Sequence, residues 1–151
     1  MNPPPTHTSV SASHDSLIRV IPWTDPVVEA TGYPIDDPYV EMFWLPILGP
    51  TATWLARRLV SGLVHSTDVN GYTCDMTDLA SALGVSYTHG RHSPFVRALQ
   101  RCAMFGVSEN IAVEPIRTIA VRTMLPRIPH RHLARLPHQL RIAHEDWVIP
   151  R

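Results

Sequence analysis

Lysine is missing from this chain: among 151 residues, all thirteen basic side chains are arginine. Arginine suits planar, bidentate contact with phosphate or guanine, although a GC-rich genome produces the same bias. Cysteine is nearly missing. Cys74 and Cys102 form no C-x-x-C pair and cannot build a disulfide framework, so two reduced thiols packed as small apolar groups are expected. Glycine is sparse, with seven residues, and the sequence has no glycine-rich phosphate loop, no H-E-x-x-H and no G-x-S-x-G. Asp75, Asp78, Glu145 and Asp146 read as helix caps or surface charges. The expectation is a protein that is not an enzyme, with no catalytic residue and no cofactor. No apolar run approaches the roughly 18 residues that span a bilayer. The start M-N-P-P-P-T-H-T-S-V has neither the basic region nor the apolar core of a signal peptide, so a cytoplasmic protein without a membrane partner is expected.

What is present is distributed unevenly. The net charge is zero and 44% of residues are hydrophobic, enough for one ordinary domain. Residues 1–50 hold one Arg against six acids, whereas residues 86–151 hold ten Arg against four acids. An acidic arm and a basic body follow, the latter a hint of polyanion contact. Residues 1–16, with three consecutive prolines and little to bury, are expected to be disordered. Residues 17–37 read as an extended acidic arm in which Leu17–Ile21 can add a short strand. Pro22, Pro26, Pro34 and Pro38 make its remainder an irregular wrap without helix.

Asp37 and Pro38 then supply a cap and a first helical position, and Tyr39, Val40, Phe43, Trp44 and Leu45 an apolar side. Pro46 should bend or end that helix. A second starts at about Pro50, with Trp54, Leu55, Leu59 and Leu63 at helical spacing. Asn70-Gly71 marks a turn, Tyr72–Cys74 a very short strand, and Asp75 or Thr77 a cap ahead of L-A-S-A-L-G, which Gly84 stops. Ser93 and Pro94 open the next helix. Afterwards Ile111, Val113, Ile119 and Val121 alternate with polar positions as two strands should, with Pro115 and Arg117 near the tip between them.

This order, with L-A-S-A-L-G-V-S followed by S-P-F-V-R-A-L-Q-R-C-A-M-F-G-V, resembles the winged helix-turn-helix superfamily from about Pro50 to Pro126. The resemblance implies a mainly α domain with a small β-hairpin over residues 38–126, carrying N-terminal and C-terminal helical extensions, the latter at residues 127–151. It also implies a recognition helix that enters the DNA major groove, followed by a hairpin wing.

At about 100° per residue, Phe95, Val96, Leu99, Cys102 and Ala103 share the buried side of that helix, while Arg97, Gln100, Arg101 and Met104 stand opposite without any acid. Arg can pair with guanine and Gln with adenine. The DNA-contacting set expected is therefore Arg97, Gln100 and Arg101 in the groove, Arg91 and His92 on the backbone, and Arg117 and Arg122 from the wing. Double-stranded DNA is the expected partner of what would be a transcriptional regulator. The alternative is a winged-helix protein-interaction module that joins a larger complex without touching DNA. Leu133, Leu136, Leu140 and Trp147 form an apolar set at the C-terminus, expected as a homodimer interface. His130, His132, His138 and His144 do not gather on one helix face, and no metal site is expected.

Overall fold

The computed structural model describes residues 14–88 and 92–147. The disordered tail expected for residues 1–16 lies, up to residue 13, outside the described residues, as does Arg91. A single 3-10 turn, His14–Ser16, leads into strand β1, Leu17–Trp23. Its alternation is that of a strand with one face inward: Ile18 and Val20 are fully buried, with less buried residues between them.

Strand β1 decides the architecture. It pairs antiparallel with β3, Tyr72–Asp75, and parallel with β5, Arg117–Arg122. Strand β5 in turn pairs antiparallel with β4, Ser108–Ala112, giving a sheet in the order β3-β1-β5-β4. The expectation of a mainly α protein with a small hairpin is therefore overturned. Of the described residues 51% are helical and 20% are in strands, an α/β fold with a four-stranded mixed sheet and, among those residues, seven helices. The reason is long-range pairing. The segment L-I-R-V-I-P-W lies between the short strand and the hairpin, so that the two are joined into one sheet through it. The β3 pairing runs from Leu17 to Val20, so Pro22, which has no N–H to donate, lies past its end and is in register only with Val121 of β5.

The proline-rich stretch contains a helix after all. In α1, Pro26–Thr31, Pro26 occupies the first turn and the Asp25 carboxylate accepts from the Val27 and Val28 amides. These are helix-start signals, and they prevail over the breaker reading. Strand β2, Tyr33–Pro34, then pairs with β6, Met124–Leu125. The Asp37 carboxylate accepts from the Tyr39 amide as the next helical segment begins. That segment widens to a π turn at Val40–Trp44 before α2, Leu45–Leu48. Pro46 accounts for the widening, because its ring crowds the carbonyl four residues back and it cannot donate to it. The Leu45 amide reaches Val40 instead, five residues away.

Helix α3, Pro50–His65, buries Ala52, Leu55, Ala56 and Leu59, whereas Trp54, expected in the same apolar row, is 55% exposed. Gly71, at φ +131°, brings the turn before β3 against β1 so closely that a Cβ would collide with the Val20 carbonyl. Asp75 caps α4, Met76–Leu83, and Gly84 ends it in the left-handed conformation at φ 71°. Helix α5, Pro94–Met104, crosses α3, with Phe95, Ala98, Leu99 and Cys102 buried.

After β6 the chain forms α6, His130–Leu133, and α7, His138–Glu145. They close the core around Tyr39. Its ring stacks on Tyr33 at 3.7 Å, and Trp147 meets Phe43 edge-on at 5.4 Å. No helix among the described residues is long and apolar enough to cross a membrane.

Candidate nucleic-acid interface

Helix α5 is held at both ends. At its start Ser93 occupies the cap position, but its hydroxyl turns back to the preceding connection, donating to Ser86 O at 3.1 Å and accepting from Thr88 N at 3.3 Å. The Phe95 amide donates to Ser86 O as well, at 3.3 Å. At its end the Val107 amide returns to Cys102 O at 2.9 Å, and Gly106 takes φ 71°. The buried side of α5 then fixes which residues face out. Arg97, Gln100, Arg101 and Met104 are exposed, in line with the helical wheel, while Val96 and Ala103 are only half-buried.

The arginines of this region are not equivalent. Arg97 and Gln100 are exposed, and Arg97 borders a cleft of about 270 Å³ between the first turn of α3 and α5. Arg101 folds back: Nε donates to Leu48 O at 2.7 Å and Nη2 to Ile47 O at 2.5 Å. It therefore satisfies the last carbonyls of α2 and ties that helix to α5. Its guanidinium also lies 5.3 Å from the Phe105 ring centroid.

Arg122 is further inside. Nε donates to Gly106 O at 2.8 Å, Nη1 pairs with Asp25 at 3.0 Å, and the guanidinium lies 3.7 Å over Trp23, leaving the side chain 15% exposed. The Arg122 hydrogen bond is the main reason that the Asp25 carboxyl sits below its ordinary pKa. Arg117, at the start of β5, is half-buried. Its charge reaches Tyr87, whose hydroxyl burial pushes up in pKa while Arg117 pulls it down. His92 is exposed just before α5, and Arg91 lies outside the described residues.

The structure thus brings His92, Arg97 and Gln100 out along α5, with Arg101 anchored beside them. It places Arg122 in an internal ion pair. The hairpin adds acids that the α5 face lacks, since Glu109 and Glu114 are exposed, with Ile111 and Val113 between them.

The C-terminal apolar set is engaged with its own chain. Leu136 is buried, and Leu133, Leu140 and Trp147 are half-buried against the same core. Of the four histidines there, His132 and His144 are buried, and burial depresses the pKa of each. No cluster of metal-ligating side chains occurs among the described residues. Both thiols are raised by burial, Cys74 to about 11 and Cys102 to about 12, so they stay protonated at neutral pH.

Two features escaped the sequence reading. One is the cavity beside Trp54 and Arg57, because Trp54 falls in step with core leucines. The other is the pairing of Tyr39 with His144, which lie 105 residues apart and carry no local signal. Comparison with family models, with curated proteins and with solved structures returned no match for this chain.

Proposed function

We propose that this protein binds double-stranded DNA as a cytoplasmic transcriptional regulator, with α5 in the major groove. The observation that carries the reading is the exposed, acid-free row of Arg97 and Gln100 on a helix fixed at both ends. Guanine presents acceptors to Arg and adenine a donor and an acceptor to Gln, so such a row has the chemistry to read bases. The order α3, β3, α4, α5 and hairpin supports it, since the sequence resemblance implies that order for a groove-reading domain. Arg101 acts as a positioning residue that sets α5 against α2, His92 meets the backbone at the helix start, and Arg117 does so from the hairpin. Glu109 and Glu114 repel phosphate, which weakens the hairpin's share of the contact and leaves α5 as its main part.

A second reading is a module that joins a protein complex. It is favoured by β4, an edge strand in the sheet order whose Ile111 is 50% exposed, with Val113 just past its end 75% exposed. Fluorescence anisotropy with mixed-sequence duplex DNA at several salt concentrations separates the two. Binding that weakens steeply with salt and weakens further in Arg97→Ala supports the DNA reading. No duplex binding by the folded protein at low salt leaves the interaction module.

A further inference from the structure

A cavity of about 560 Å³ opens along the exposed side of α3, away from the α5 contact. Its volume lies in the range of small-molecule sites. Ile35, Val60, Val64 and Trp54 give it apolar walls, and two of these are large hydrophobics left in solvent: Trp54 is 55% and Val64 72% exposed. Such a pair on one helix face, at an indentation and not on a flat surface, calls for an occupant.

The polar groups narrow the choice. Arg57 lines the cavity with its side chain only 15% exposed. Its Nε donates to Ile35 O at 3.1 Å, and the Glu41 carboxylate stands 4.0 Å from Nη1 and is itself 65% exposed. Nη2 is buried, with no hydrogen-bond partner among the described residues. A guanidinium carries five donors, and leaving the two on Nη2 dry and unpaired is costly. Trp54 lies across this group, its ring centroid 5.4 Å from the guanidinium carbon. That ring is largely in solvent and lines the same cavity, so it can shift around an occupant without opening the core. Arg58 adds a second positive charge to the lining, and Asp36 in the lining and Glu41 beside Arg57 balance the two arginines, so it is the unpaired Nη2 and not an excess of charge that calls for an acceptor.

We infer that this cavity binds a small monocarboxylate with a planar apolar body. The carboxylate takes the unpaired Nη2 edge of Arg57, and the body lies between Trp54 and the wall formed by Val60 and Val64. Arg is suited to this because its planar fork matches the two carboxylate oxygens. The inference does not rest on the DNA reading, since none of these residues belongs to the α5 row.

Isothermal titration of the full chain with indole-3-acetate and benzoate tests it, set against the neutral indole-3-acetamide and benzamide. The carboxylates should bind, the amides should bind roughly tenfold more weakly, and Trp54→Ala should weaken the carboxylates by a similar factor. Arg57→Gln should abolish the preference for carboxylate over amide. Since Arg57 also holds Ile35, circular dichroism must show that variant folded, and Trp54→Ala, at an exposed position, stands as the independent check. Tryptophan and phenylalanine extend the panel; binding by these amino acids and not by the simple acids would overturn the monocarboxylate assignment. Carboxylates and amides of equal affinity, no binding by any probe at about 1 mM, or unchanged carboxylate affinity in folded Trp54→Ala would each overturn it too.

Discussion

Replacing Tyr39 by Phe removes one oxygen atom from the middle of the core and tests how the C-terminal segment is held. Tyr39 is fully buried, and its hydroxyl accepts from the Ile128 amide at 2.8 Å and lies 2.7 Å from His144 Nε2. In the bond to His144 the hydroxyl donates when the ring proton is on Nδ1 and accepts when it is on Nε2; in either case the ring nitrogen is paired through this oxygen. The ring contacts with Tyr33, Phe43 and Trp147 survive in Phe. The loss is therefore that of two buried groups left unpaired, the Ile128 N–H and His144 Nε2. At about 1–3 kcal/mol each, the sum is about 2–6 kcal/mol, a large share of the stability of an ordinary domain. For a chain of this length that lowers Tm by about 4–24 °C. Thermal and urea unfolding followed by circular dichroism measures it. Tyr33→Phe is the control, because the Tyr33 hydroxyl receives only a long contact from Arg127 at 3.4 Å and should cost less than about 1 kcal/mol. In the double variant with His144→Leu, the two losses should fall short of additive by about 1–3 kcal/mol. A Tyr39→Phe protein within about 0.5 kcal/mol of wild type would refute the account of this hub.

Four further outcomes follow from the same geometry. Arg97→Ala and Gln100→Ala should weaken duplex binding by about 1–3 kcal/mol each with unchanged unfolding curves, whereas Arg101→Ala should also lower stability by releasing Ile47 O and Leu48 O; identical behaviour of all three in binding and melting would contradict the division of roles. His132 and His144 have folded pKa values below the ordinary 6.5, so their neutral forms are stabilised by folding. Their contribution is complete above the unfolded value and is lost as pH falls from about 6.5 toward the depressed values; urea midpoints flat between pH 7 and pH 5 would count against it. Gly71→Ala should destabilise by about 1–3 kcal/mol, read from the urea midpoint, because φ +131° disfavours a side chain and the Cβ meets the Val20 carbonyl. Cys102 should resist a thiol reagent at neutral pH in the native protein and react on unfolding; rapid native labelling would show the site to be open.

Local chemistry was legible in the sequence because its causes are local. Asp75 and Gly84 frame α4, Pro50 and Pro94 start α3 and α5, and the side of α5 bearing Arg97 and Gln100 follows from the helical repeat alone. A cap, a breaker and a period of 3.6 each act over a few residues. What the tertiary structure decided lies beyond that range. Whether L-I-R-V-I-P-W becomes an arm or a central strand depends on β3 and β5, whose residues lie dozens of positions away, and that choice changed the fold class. Arg101 and Arg97 share one helix face, yet only the position of the α2 carbonyls makes the first an anchor, while the second stands exposed. Trp54 keeps step with Leu55 and Leu59 in sequence but stands in solvent beside Arg57, because a helix repeat specifies an angle around an axis and not which angles the rest of the chain will cover.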